Sequence, residues 1–178
     1  MEAAAEARAE ALVASRTAFA SDLSTEQAEY ETALQELAEL AEEVRGMTDV
    51  NDAEANYQRM LDLMEGIKRR RADAERINRR ESLFGWATTS SDVLDEQEAE
   101  FLPYLTLWGA ASESKQEIPA WVDGPFLALD PVEIEAKVRG GWIRDVRAQI
   151  PIFEAKGDEG ARRAAQQTLE RLQEVEQH

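Results

Sequence analysis

Apolar residues fall along this chain in runs of helical period, with no stretch of strand-like alternation. The clearest run is Leu23, Gln27, Tyr30, Leu34, Leu37, Ala41 and Val44. Only Gln27 is polar, and the steps alternate four and three, as in a coiled-coil seam. A second seam passes through Val50, Ala53, Tyr57, Met60, Met64, Ile67, Arg71, Ala74 and Asn78. Gly46 lies between the seams and ends the first helix. Two such helices joined by a few residues fold back on each other. The pattern therefore predicts an antiparallel hairpin over residues 24–86, with its paired core at 25–82. At about 1.5 Å per residue it would be roughly 30–40 Å long. Two capping boxes are expected, Ser24 with Gln27 and Asn51 with Glu54. The first implies a pause at Ser21-Asp22-Leu23-Ser24 that separates a solvated helical extension, residues 1–23, from the hairpin.

The second half is also helical but more interrupted. Leu83-Phe84-Gly85-Trp86 closes the hairpin, and Thr88 to Asp92 is a loop ending in an N-cap. A third helix follows from about Val93, with Leu94, Phe101, Leu105 and Trp108 on one face. Its 101–108 turns are apolar nearly all round, which marks burial on several sides. Pro103 is expected to kink or interrupt it, and Pro119 to break it just before Trp121. A fourth helix over 131–150 carries Ile134, Val138, Trp142, Val146 and Ile150, with Gly140-Gly141 at a kink or a close approach. Pro151 and Gly157 end it, and Asp158 caps a fifth, 159–177, with a thin stripe of Ala161, Ala165, Leu169, Leu172 and Val175.

The sharpest local signal joins the third and fourth helices. Trp121-Val122-Asp123-Gly124-Pro125-Phe126 stops one helix, since Gly124 tolerates positive φ and the proline keeps it out of the α region. Asp130-Pro131 opens the next, with Asp130 as N-cap and Pro131 at the first helical position. Trp121 and Phe126 are expected to share a core at this corner. It is a structural joint, made of Trp121, Asp123, Gly124, Pro125, Phe126 and Asp130, and it carries no reacting group.

Composition narrows the chemistry. The 178 residues have a net charge of −17, which disfavours nucleic acid and anionic membranes as partners. No apolar run reaches the length of a membrane span. Cysteine is absent and the single histidine is His178, which excludes thiolate metal sites and Ser-His or Cys-His catalysis. The acids Asp92, Asp95, Glu96, Glu98 and Glu100 do not have EF-hand spacing and read as a solvated helix start. No phosphate-binding glycine motif is present. Catalytic, cofactor and metal residues are therefore all expected to be none. One basic cluster stands out: Lys68-Arg69-Arg70-Arg71 with Arg76, Arg79 and Arg80. Either it receives an acidic surface or nucleic acid, or its cations offset the helix dipole and face the acidic first helix. The absence of interleaved aromatics favours the second reading.

Three blocks in fixed order resemble dynein heavy chains where the tail enters the linker. They are Ile77 to Trp86, Phe101 to Trp108, and Trp121 to Asp130 followed by a Glu-rich helix. The resemblance covers about residues 50–178 and is nearest the axonemal, single-headed inner-arm type. Ser90-Ser91, Pro119 and Gly140-Gly141 depart from its usual pattern. It implies an all-α, elongated helical linker segment over 87–178 that continues past His178. It also implies a non-catalytic mechanical part of a minus-end-directed microtubule motor. ATP and Mg²⁺ would bind in AAA+ modules outside this chain. Implied partners are the rest of the heavy chain, dynein intermediate and light chains, and microtubules through the parent complex, in the cytoplasm and the ciliary or flagellar axoneme. The residues by themselves equally admit a free-standing acidic helical scaffold that binds a partner helix through its seam.

Overall fold

The computed structural model describes residues 2–124 and 130–176, and among these there is no strand. Helix α1 spans Glu2–Arg45, α2 Ala53–Phe84 and α3 Asp92–Asp123. Then come α4, Pro131–Glu135, a π-helical segment Ala136–Ile143, and α5, Arg144–Lys156, in one unbroken rod. Helix α6, Glu159–Glu176, closes the order. The chain is an all-α helical bundle.

α1 and α2 form the hairpin. Leu23, Tyr30, Leu37, Ala41 and Val44 of the first seam are buried, and so are Val50, Ala53, Met60, Ile67 and Ala74 of the second. α2 buries more than its seam: Leu63 in the main core, where α3 also packs on α2, and Ile77 and Glu81 at the hairpin end. Gly66 and Gly109 serve this packing. A Cβ on Gly66 would lie 2.6 Å from Leu37 Cδ1, and one on Gly109 3.3 Å from the Tyr57 ring. The main core is centred on Phe101, Leu107 and Trp108 of α3, which meet α2 on one side and Trp142, Val146 and Phe153 on the other. A smaller cluster of Leu23, Tyr30, Ala74 and Ile77 closes the far end of the hairpin.

Several expected interruptions are absent. No pause occurs at 21–24: α1 is continuous. The Ser24 hydroxyl that was to cap a new helix bonds back into the running one, to Ala20 O at 3.1 Å, as does Thr25 Oγ1 to Ser21 O at 3.1 Å. Gln27 reaches across to Glu81. Before α2, the cap is Asp49 rather than Asn51. It accepts the Asn51 N–H at 2.8 Å and opens a 3₁₀ turn, Val50–Asp52. α3 runs through both Pro103 and Pro119, and the following rod runs through Pro151 to Lys156. At Pro103, burial of Leu94 and Phe101 before it and of Tyr104 and Trp108 after it holds the helix together. Lys156 Nζ donates to Glu100 O at 2.7 Å, an outside donor in the turn that the proline disturbs. The real helix ends are Gly85 and Gly157, with φ of 67° and 71°. Each terminates its helix in a left-handed cap, with Trp86 N bonded to Glu81 O and Asp158 N to Phe153 O, both at 3.0 Å.

Candidate functional site

The joint between α3 and α4 is held by side chains on three neighbouring turns. Trp121, half-buried near the end of α3, stacks on Trp142 of the π segment, with ring centroids 5.6 Å apart and planes 18° from parallel. Trp142 Nε1 donates to Glu113 Oε2 at 3.1 Å. One turn further along α3, Glu117 accepts Lys137 Nζ on both oxygens, at 2.5 and 2.6 Å. The same ammonium lies 5.5 Å from the Trp142 ring. Asp130 starts α4, its Oδ1 accepting Val132 N at 2.9 Å and Glu133 N at 3.3 Å, with Pro131 at the first helical position. Asp123 is exposed at the end of α3.

Gly124 is needed here for a different reason from the expected one. Its backbone is extended, φ −79° and ψ 166°, as the following proline favours. A Cβ would sit 2.5 Å from Ala120 O, so the close approach of the α3 carbonyl demands glycine, not a positive φ. Pro125 and Phe126 lie outside the described residues, and with them the expected Trp121–Phe126 core. Glu113, Glu117 and Lys137 were not singled out from the sequence. The two glutamates sit one helical turn apart in a stretch that reads as merely polar, and only the antiparallel packing of α3 on the following rod gives them partners.

Beside the joint, Ile118, Trp121, Val122, Ile134 and Val175 line an open groove of about 770 Å³, with Arg171 and Glu174 at its rim. A polar groove of about 580 Å³ lies between α2 and α3, lined by residues including Asn51, Glu54, Tyr57 and Lys115. Neither contains a nucleophile hydrogen-bonded to a base. Among the described residues no cluster of His, Cys, Asp or Glu could hold a metal ion, and no helix is long and apolar enough to cross a membrane.

Most of the clustered charges are engaged in ion pairs. Arg71 bonds Asp95 at 2.8 Å and Glu98 at 2.6 Å, tying α2 to the acidic start of α3. Arg80 pairs with Glu26 of α1 at 2.5 Å and lies 4.3 Å over the Phe19 ring. Arg69, Arg70 and Arg76 pair within α2. Arg45 forks onto Glu100 at 2.9 and 3.0 Å. Two buried acids need comment. Glu81, 1% exposed, accepts Gln27 Nε2 at 2.7 Å, Thr89 N at 2.7 Å and Thr89 Oγ1 at 2.8 Å. Burial opposes its ionisation, but these bonds outweigh it and lower the pKa. Tyr104 donates to Asp158 Oδ2 at 2.5 Å, which locks α3 to the α5–α6 turn. Burial first, and that bond second, push the tyrosine's pKa up.

Fold and site thus define a helical architecture built around joints and ion pairs. Comparison with known proteins gives a direction. The chain is 33% identical over 76 residues to dynein axonemal heavy chain 1 of Mus musculus, covering 40% of this chain and 2% of that protein. It is 26% identical over 123 residues to dynein axonemal heavy chain 12 of Homo sapiens, covering 69% of this chain and 4% of the relative. The chain is therefore distantly related, over part of its length, to axonemal dynein heavy chains, and it spans only a few per cent of their length. No protein-family model matches it, and no solved structure does.

Proposed function

We propose that this chain is a linker or tail segment of an axonemal dynein heavy chain. It does no chemistry itself and transmits force from an ATP-driven AAA+ ring carried elsewhere in the polypeptide. The relation to axonemal heavy chains over up to 123 residues is the observation that carries this reading. The mechanics agree with it. α1, at 44 residues, is about 66 Å long at 1.5 Å per residue, and it is stiffened by α2 over more than half of that. The stacked, ion-paired joint at Trp121 and Trp142 gives a defined angle through which load passes from α3 into the following rod. Partners on this reading are the rest of the heavy chain, intermediate and light chains, and microtubules through the parent complex, in the ciliary axoneme.

One observation favours a second reading, an acidic scaffold for a partner helix. Residues 3–18 of α1 are exposed, with Leu12 and Val13 71% and 66% accessible and nothing packed on them among the described residues. Sequencing the full-length transcript across the His178 codon separates the two. A frame that continues through more helical linker into repeated AAA+ modules with Walker motifs supports the motor segment. A stop after His178 in the mature message refutes it for this product and leaves the scaffold.

A further inference from the structure

We propose that Gly140-Gly141 is a hinge on which α4 and the first turn of the π segment swing relative to α5, with Lys137–Glu117 as the latch. The inference concerns this chain alone and stands whether or not the motor assignment does.

Three independent features meet at this point. The first is that the fold does not need these glycines. A Cβ built on either would meet nothing within 4 Å, and neither has a positive φ. Gly66, Gly109 and Gly124, by contrast, are each crowded by a named neighbour. Alanine would favour the helix by about four- to five-fold per position, so the pair weakens the closed state by about 20-fold with no compensating contact. Such a pair is accounted for by another arrangement of the backbone. The second feature is the helix type. Ala136–Ile143 is π-helical, with an extra residue per turn that can be taken up or released locally. The third is a step in anchoring. α4 buries no residue, and upstream of the glycines only Val138 is buried. Immediately downstream Trp142, Ile143, Val146 and Phe153 all are.

The loose side is held by buried Val138, by Arg139 paired with Glu176 of α6 at 2.9 Å, and by the Lys137 ammonium on both Glu117 oxygens, at 2.5 and 2.6 Å. That pair is 40% and 35% exposed, so salt screens it. The hinge closes when the latch forms and opens more often as ionic strength rises.

Hydrogen-exchange mass spectrometry on the whole chain tests this, because it reads opening segment by segment. Amides of 132–139 are expected to exchange faster than those of 144–156, and faster still in high salt. G140A/G141A slows exchange across 132–143 by about 20-fold and leaves 144–156 within roughly two-fold of wild type. Lys137→Gln speeds 132–139 without altering 144–156, and a melting curve confirms that each variant is folded. Equal protection of 132–139 and 144–156 in the wild type overturns the hinge. So does a double variant that slows all helices alike or none, or a Lys137 variant without local effect.

Discussion

Replacing Glu81 isolates what a single buried carboxylate does for the hairpin end. Glu81 sits on α2 at 1% exposure and accepts hydrogen bonds from Gln27 of α1 and from the backbone and hydroxyl of Thr89 in the loop to α3. It therefore ties α1, α2 and the loop that follows α2. Glutamine keeps the shape. Its oxygen can take the Thr89 N–H, while its amide donates to a reoriented Thr89 hydroxyl and Gln27 oxygen. No donor need be stranded, but the charge assistance is lost. Bonds to a charged group contribute about 1.5–3 kcal/mol against about 0.5–1.5 for neutral ones, and relief from burying a charge offsets part of the difference. Glu81→Gln should thus cost about 1–2 kcal/mol at pH 7. Glu81→Leu strands the Thr89 N–H and should cost about 3 kcal/mol. The pH dependence has a defined sign. The folded pKa lies below the ordinary 4.5, so the stabilisation is fully present above the unfolded pKa and is lost as pH falls through the folded one. Urea unfolding from pH 7 down to about pH 3 should show the wild-type advantage over Glu81→Gln shrinking below pH 4.5. A glutamine variant as stable as wild type at pH 7, or a gap that stays constant down the pH series, would refute the account.

Other residues give equally specific expectations. Gly66→Ala gains helix propensity but drives a Cβ into Leu37, which is itself buried. A net loss of about 1 kcal/mol is expected in urea unfolding, opposite in sign to Gly140→Ala, which should gain about 1 kcal/mol. Tyr104→Phe keeps the rings at 4.9 Å from Phe153 and 5.4 Å from Phe101 but loses the bond to Asp158, for a cost of about 2 kcal/mol at pH 7. Because the folded Tyr104 pKa is raised above the ordinary tyrosine value of 10.0, its stabilisation is present below pH 10 and is lost as pH rises beyond it. Wild-type thermal stability should fall more steeply above pH 10 than that of Tyr104→Phe. Trp142→Phe removes the donor to Glu113 while leaving a ring for Trp121. A loss of about 1 kcal/mol and altered Trp121 emission are expected from thermal and fluorescence scans.

The helical pattern was legible because seam positions answer to one partner helix, and Leu23, Tyr30, Leu37 and Val44 repeat on that basis. At Pro103 and Pro151 a local stop signal of a few kcal/mol is outweighed by side chains buried on both sides, Phe101 and Tyr104, Val146 and Phe153, and packing carried the helix through. At Ser24 the hydroxyl bonds back to Ala20 O inside the running helix instead of capping a new one. Nothing after Pro119 in α3 is buried, and packing does not explain the continuity there. The additional buried residues of α2, Leu63, Ile77 and Glu81, were invisible because a single seam shows neither the third helix nor the bonds that Gln27 and Thr89 bring to Glu81. The same holds at the joint. Asp130-Pro131 is a local cap and could be read directly, but Glu113 to Trp142 and Glu117 to Lys137 are contacts across roughly twenty to thirty residues, without a spacing signature.

The distribution of charge explains why α2 is the spine of the molecule. A chain of net charge −17 must keep its acidic helices from repelling one another. α1 and the start of α3 are the acidic elements, and α2 lies between them carrying the basic cluster. Arg59 meets Glu43 and Arg80 meets Glu26 on the α1 side, while Arg71 meets Asp95 and Glu98 on the α3 side. Each exposed pair is worth at most about 1 kcal/mol, so the cluster cannot be what makes the bundle fold. Its effect is on arrangement. Packing α1 directly against α3 would bring Glu26, Glu43, Asp95 and Glu98 together with no cations between them, and like-charge contact is costly. The seams make the helices pair, and the charges decide which helix takes the middle position. Five of the cluster's seven cations, Arg69, Arg70, Arg71, Arg76 and Arg80, thus have carboxylate partners within the chain.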